Sequence, residues 1–165
     1  MRHTSRWRLT DFLWISLVCV IGGCTPLSLY ERSIALPQQQ WKSDYVPAFD
    51  FTIGDTTASY DVALVFRHRD RYHYNNIWLR VSITDPQAKT YSFDTDLLLG
   101  TNESGWLGTG MDDIYEHRIS LQKELLAKGI SFRQAGTYRF SIEQLMREDP
   151  LEEVMNIGIR VEKKP

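Results

Sequence analysis

Asp94 and Asp96 stand two residues apart in a segment that alternates like a strand, so both carboxylates project from one face about 7 Å apart. That separation would suit the paired acids of glycoside hydrolysis, although solvated strand faces carry such pairs far more often. The run Asp112 to His117 (DDIYEH) would gather Asp113, Glu116 and His117 around Ca²⁺ or Zn²⁺ only as a helix; a strand scatters them. Residues 67–76 (RHRDRYHYNN) place three arginines, two histidines and two tyrosines between two strongly alternating segments. As a hairpin loop, Arg67, Arg69, Arg71, Tyr72 and Tyr74 could stack on sugar rings or grip an acidic partner. As an ordinary solvated loop, its arginine stems would lie along neighbouring surface. Trp78, out of phase with the apolar series around it, and Trp106, after a glycine-rich stretch, are further candidate contacts for a partner or a glycan. Either could equally anchor the packing of a second sheet. Thr56, in Asp55-Thr56-Thr57, fits a short O-glycosylation pattern of exported bacterial proteins. No phosphate-cradling glycine loop, GxSxG elbow or HExxH pair occurs. The expectation is a protein that is not an enzyme, with no catalytic residues, no metal and no small-molecule cofactor.

One cysteine has a more specific chemistry. Cys24 closes the tetrapeptide Ile21-Gly22-Gly23-Cys24, which resembles the lipobox of bacterial lipoproteins. The thiol accepts a diacylglyceryl group, and the small residues before it admit a membrane-embedded signal peptidase to the bond that is cut. Upstream lie Arg2, Arg6 and Arg8, then the apolar run Phe12 to Ile21, broken only by Ser16. Ten residues rise about 15 Å as a helix, half of a hydrocarbon core about 30 Å thick. This is the layout of a secretory leader. Residues 1–23 are therefore expected to be a signal peptide, and Cys24 to be lipidated.

Removing residues 1–23 takes three arginines and Asp11 from the 19 basic and 21 acidic side chains, moving the formal charge from −2 to −4. A pI near 6.1 argues against a nucleic-acid binder that works by phosphate neutralisation. Cys19 leaves with the leader and Cys24 becomes a thioether, so no free thiol remains for catalysis, as suits an oxidising envelope. Residues 24–44, with Pro26, Pro37 and three consecutive glutamines, read in part as a lipidated tether. Thr25 stands where Asp signals inner-membrane retention in some bacteria, which favours the outer membrane.

These residues must be positioned by strands. Tyr60/Val62/Leu64/Phe66, Ile77/Leu79/Val81/Ile83, Tyr91/Phe93/Thr95/Leu97, Tyr138/Phe140/Ile142 and Ile157/Ile159/Val161 each alternate with polar or smaller residues, and Phe49/Phe51/Ile53 do the same. Turn signals separate them at Gly54-Asp55, Asp85-Pro86, Gly100 to Gly105, and Gly136. Only Ser120 to Lys128 has helical character, with Gly129 as a possible C-cap. The expectation is one all-β unit over residues 45–165, a two-sheet antiparallel β-sandwich of jelly-roll-like or immunoglobulin-like type.

Taken in order, Cys24, the Tyr30-Glu31-Arg32 segment leading to Pro37 and Trp41, Asp55-Thr56-Thr57 with Tyr60, YHYNNIWL at 72–79, Thr84-Asp85-Pro86 and Gly105-Trp106-Leu107-Gly108 resemble the gliding motility-associated lipoprotein GldH family. The most specific part is the run Gly136 to Arg147 (GTYRFSIEQLMR), and Ile157 to Glu162 closes the resemblance. It implies an outer-membrane lipoprotein tied to gliding motility and, by extension, to type IX secretion. Its partners would be the membrane, through the lipid, and other envelope or gliding-machinery proteins. The family brings no catalytic residues, and Cys24 is the one functional residue carried across. The basic run 67–71 departs from the family's expected charge there. A membrane-tethered glycan-binding module is the alternative reading.

Overall fold

A computed structural model describes residues 29–164; the expected leader and Cys24 lie outside the described residues. In chain order the elements are β1 (Leu29–Ala35), a 3₁₀ turn (Pro37–Gln39), β2 (Gln40–Trp41), β3 (Ala48–Ile53), β4 (Tyr60–Arg69), β5 (Asn76–Thr84) and β6 (Thr90–Leu98). Then follow β7 (Gly100–Thr101), β8 (Gly105–Trp106), β9 (Thr109–Met111), β10 (Ile114–Ser120), α1 (Gln122–Ala127), β11 (Gly136–Gln144), β12 (Leu151–Glu152) and β13 (Val154–Lys163). The chain is all-β, in antiparallel sheets. One has the order β1-β13-β4-β10-β9 and another β3-β11-β5-β6; β12-β2 and β7-β8 form two-stranded ribbons.

The period-two pattern explains the strands. On β5, Ile77, Leu79, Val81 and Ile83 are fully buried while the residues between them reach solvent. Their solvent-side neighbours make a ladder to β6: Ser82 to Ser92 at 2.8 Å, Thr84 to Thr90 at 2.9 Å, and Arg80 in two bonds to Asp94. Such cross-strand pairs fix register as well as adding a few tenths of a kcal/mol each. The inward residues of both larger sheets, Phe51 and Phe140 from one and Tyr60 and Leu64 from the other among them, belong to one continuous apolar core. Phe132, from the segment after α1, bridges them edge-on, 5.7 Å from Phe51 and 6.3 Å from Tyr60.

Two expectations about boundaries change. Residues 29–44 are not simply tether. Leu29–Ala35 pairs with β13 over seven residues, and Trp41 is completely buried, its indole N–H donating to the Tyr45 carbonyl. The polar outer side of β1 hid its alternation, because only Tyr30 and Ile34 pack against the core. The helical segment is also shorter than 120–128. Ser120 completes β10, and α1 occupies Gln122–Ala127 with Gly129 left-handed just after it.

The strand directions give the domain two distinct ends. Leu29 opposes Glu162, and Glu162 opposes Asp61, so the start of β1 lies at the end of the sheet that holds Tyr60 and Lys163. β4 then runs ten residues to Arg69 at the other end, roughly 30 Å away.

Candidate functional site

Histidine, tyrosine and tryptophan side chains converge at that far end, and the sequence reading separated them. The inward series of β4 does not stop at Phe66; it continues to His68, which is fully buried. On the neighbouring strand β10, Tyr115 lies opposite His68 and His117 lies opposite Phe66. The imidazoles of His68 and His117 stack at 5.0 Å between centroids, with their Nε2 atoms 2.9 Å apart. His68 Nδ1 faces the Arg69 carbonyl oxygen at 2.7 Å, and a carbonyl only accepts, so that nitrogen carries a proton. In the neutral pair, His68 Nε2 therefore accepts and His117 Nε2–H donates. Burial pushes the affinity of His68 for a further proton below the usual histidine range. His117 is lowered to about 4, by burial first and then by the charge His68 would carry.

An aromatic shell surrounds the pair. Trp106 from β8 stands edge-on to His68 at 4.4 Å, and Tyr72 packs against His68 at 5.1 Å. Glycines let the 99–108 segment lie flat on these rings. A Cβ at Gly100 would sit 2.9 Å from the Trp106 ring, and one at Gly108 would sit 2.9 Å from the His117 ring. Trp106 is pinned by its indole N–H, which donates to Asp70 at 2.8 Å, and Tyr72 by its hydroxyl, which donates to the Asn76 carbonyl. Burial drives the Tyr72 phenol far above its ordinary pKa, so it stays neutral.

The basic run is not the free loop expected from sequence. Residues 67–69 belong to β4, and all three arginines are paired: Arg67 with Glu116, Arg69 with Asp113 at 2.7 Å and with the Gln39 amide oxygen, Arg71 with Glu153 at 2.9 Å. Charge that looked available to a partner is largely neutralised within the domain. Tyr72 is 4% exposed and belongs to the core rather than to a contact surface. Tyr74 is half-buried, packing edge-on against Tyr72 at 5.8 Å, and it lines a cleft together with Trp106. Trp78 is not part of this group; it stands 45% exposed on the solvent side of β5.

The remaining candidates are placed as follows. Asp94 is held by Arg80, which depresses its pKa below the usual carboxylate value, and Asp96 accepts from Asn76 at 2.7 Å. A general acid needs the opposite shift. Asp113, Glu116 and His117 fall on β10 and the turn before it, where Glu116 pairs with Arg67 and Arg118 while His117 turns to the interior. Among the described residues no three metal-ligating side chains are grouped. Thr56 is half-buried in the bend between β3 and β4, next to Asp55, whose carboxylate accepts from Lys163 and from both the backbone and hydroxyl of Thr57. Those bonds, the Lys163 one foremost, hold Asp55 far below its ordinary pKa.

Comparison with known proteins bears on most of the chain. The model of the GldH lipoprotein family matches residues 28–161. A gliding motility lipoprotein GldH homolog of Christiangramia forsetii is 26% identical over 159 residues, spanning 92% of this chain and 94% of that one. The gliding motility lipoprotein GldH of Flavobacterium johnsoniae is 27% identical over 131 residues, 75% of this chain and 78% of its own. Among solved structures, the infectious bursal disease virus VP2 subviral particle aligns at 10% identity over 83% of this chain and 33% of that one. Its TM-score of 0.33 is too low to carry any argument.

Proposed function

Because this chain belongs to the GldH lipoprotein family, we propose that it is a lipoprotein of the outer membrane, anchored through Cys24, and a non-catalytic component of an envelope assembly for gliding motility and type IX secretion. The observation that carries the reading is the family match across residues 28–161, beginning just after a leader, lipobox and cysteine in the right order. No helix among the described residues is long and apolar enough to cross a membrane. On this reading the two larger sheets form a β-sandwich close to the lipidated cysteine in sequence. Only residues 25–28 separate Cys24 from β1, so the stretch from Cys24 to Leu29 reaches at most about 18 Å. The anchor confines the domain to a thin layer, where modest contacts with other envelope proteins gain from a high effective concentration. Paired arginines and an overall acidic surface leave little to hold it non-specifically on anionic headgroups.

Metabolic labelling with palmitate tests the anchor. The wild-type chain should take up label and sediment with outer-membrane fractions in a density gradient, and Cys24→Ala should do neither. Equal labelling of Cys24→Ala would end the lipoprotein assignment at this residue. Sedimentation of the wild type with inner-membrane fractions would end the outer-membrane one. Full rescue of a gliding-deficient deletion strain by the unanchored variant would show that confinement is dispensable.

A further inference from the structure

The aromatic end of the domain carries a cleft of about 440 Å³, between the β4–β5 connection and the β7–β8 ribbon. Its walls are Tyr74 and Trp106, with Asn75, Thr101, Asn102 and His73 around them. Tyr72 and Gly100 make the floor. From this lining we propose that the cleft binds a neutral saccharide, one or two sugar units at a time.

The chemistry favours that ligand over others. A sugar offers apolar C–H faces that pack on aromatic rings, and a rim of hydroxyls that both donate and accept. The cleft supplies both kinds of surface: two partly exposed aromatic rings, then two carboxamides, a hydroxyl and an imidazole, each able to donate and accept. The lining itself holds no carboxylate, lysine or arginine, and the carboxylates beside it are engaged, Asp70 by the Trp106 indole and Glu148 by His73 and Tyr74. Arg67, Arg69 and Arg71 on the adjoining strand and turn are occupied by Glu116, Asp113 and Glu153. The volume falls within the range typical of small-ligand sites.

The walls are also preorganised. The Trp106 indole is locked by its bond to Asp70 and by its contact with His68, and Tyr74 leans on the buried Tyr72 ring. Little side-chain freedom is left to lose on binding, which is where weak sugar sites usually forfeit affinity. The location fits as well. The cleft lies at the Arg69 end of β4 and β1 begins at the Tyr60 end, so on the proposed anchoring through Cys24 the cleft sits at the end of the domain opposite the start of β1.

The test uses the full-length lipoprotein in detergent micelles. It is titrated with methyl glycosides of glucose, galactose, mannose, rhamnose and N-acetylglucosamine, with disaccharides of each, with a neutral polysaccharide, and with glucuronic acid. Binding is read by saturation-transfer NMR and tryptophan fluorescence. At least one neutral sugar or the polymer should bind, and glucuronic acid should bind about tenfold more weakly or not at all. Tyr74→Ala and Asn102→Ala should each weaken binding about tenfold, while Trp78→Ala leaves it within about twofold. Trp106→Phe, which keeps a ring in place, should bind better than Trp106→Ala. Equal affinity for a glycoside and the polymer identifies a site for free sugar or a chain end; binding of the polymer alone identifies the chain interior, and either supports the proposal. No response to any neutral sugar or the polymer at about 10 mM would overturn it. Affinity unmoved by both Tyr74→Ala and Asn102→Ala, or an extended peptide bound in the cleft with no sugar bound, would overturn it as well. The proposal is independent of lipidation: Cys24→Ala should bind the same sugars equally well.

Discussion

The buried histidine pair should make the domain sensitive to mild acid. His117 takes a proton at about 4 in the folded chain, against about 6.5 when unfolded. Its folded pKa is depressed, so the unfolded state binds the proton first as pH falls below 6.5. Stability is thus fully present above that value and is lost as pH approaches 4. Over the two units from 6.5 to 4.5 the loss from this one group is at most about 2.7 kcal/mol, and somewhat less if water reaches the rings from the adjoining clefts. His68 shifts in the same direction and adds to the loss. A second proton also brings two N–H groups face to face across 2.9 Å, so the imidazoles cannot both be charged and stay in register. The assay is urea denaturation at pH 7.5, 6.5, 5.5 and 4.5, comparing wild type with His68→Phe/His117→Phe. Wild type should lose an increasing share of its unfolding free energy below pH 6.5. The double variant, though less stable at neutral pH, should be much flatter across the same range. His73 is exposed beside Glu148 and remains in both proteins as an internal control. A flat wild-type curve, or an equal fall in both proteins, would refute the argument.

Three further outcomes are expected. Gly108→Ala should cost about 1–3 kcal/mol and broaden the His117 ring signals in NMR, because its methyl would press on that ring and on the Glu116 carbonyl. Leu79→Ala, at a fully buried position on β5, should lower stability by about 2–5 kcal/mol in urea denaturation without changing the all-β circular dichroism spectrum. Combined charge reversal at Arg67, Arg69 and Arg71 should cost about 1–3 kcal/mol, read as a lower urea midpoint, since it places carboxylates against Glu116, Asp113 and Glu153. A triple variant as stable as wild type would show that these ion pairs contribute nothing to stability.

Where one face of a strand was apolar and the other polar, the fold was legible: β3, β4, β5, β6, β11 and β13 lie on the alternations read from sequence. β1 was missed because it is an edge strand in which Arg32, on the same face as Tyr30 and Ile34, is exposed and interrupts the apolar series, while Glu31 and Ser33 face outward. The far-end cluster was missed for a related reason. Histidine counts as polar in a periodicity reading, and the strand was ended at Phe66. Extending the same period by one step would have placed His68 inside, and the Tyr115/His117/Ile119 alternation would have supplied its neighbour. The ion pairing of Arg67 and Arg69 could not be read at all, because it depends on which strand lies alongside β4, and that is set by chain reversal some 45 residues later.

The placement of β1 has a mechanical consequence. β1 starts five residues after Cys24 in sequence and is held along its length by seven residue pairs with β13. On the proposed anchoring through Cys24, a pull on the lipid, resisted by a partner at the far end of the domain, would run parallel to β1. The ladder's hydrogen bonds lie perpendicular to the strands, so that force would shear them all at once instead of peeling them one at a time. β13 is in turn paired with β4 along nearly its whole length, which passes the load inward to the centre of the sheet. In single-molecule stretching, a handle at residue 29 pulled against one at residue 71 should therefore unfold at higher force than a handle at residue 35 pulled away from residue 156. On the proposed anchoring, traction between membrane and machinery would be borne by an edge strand whose residues are mostly exposed.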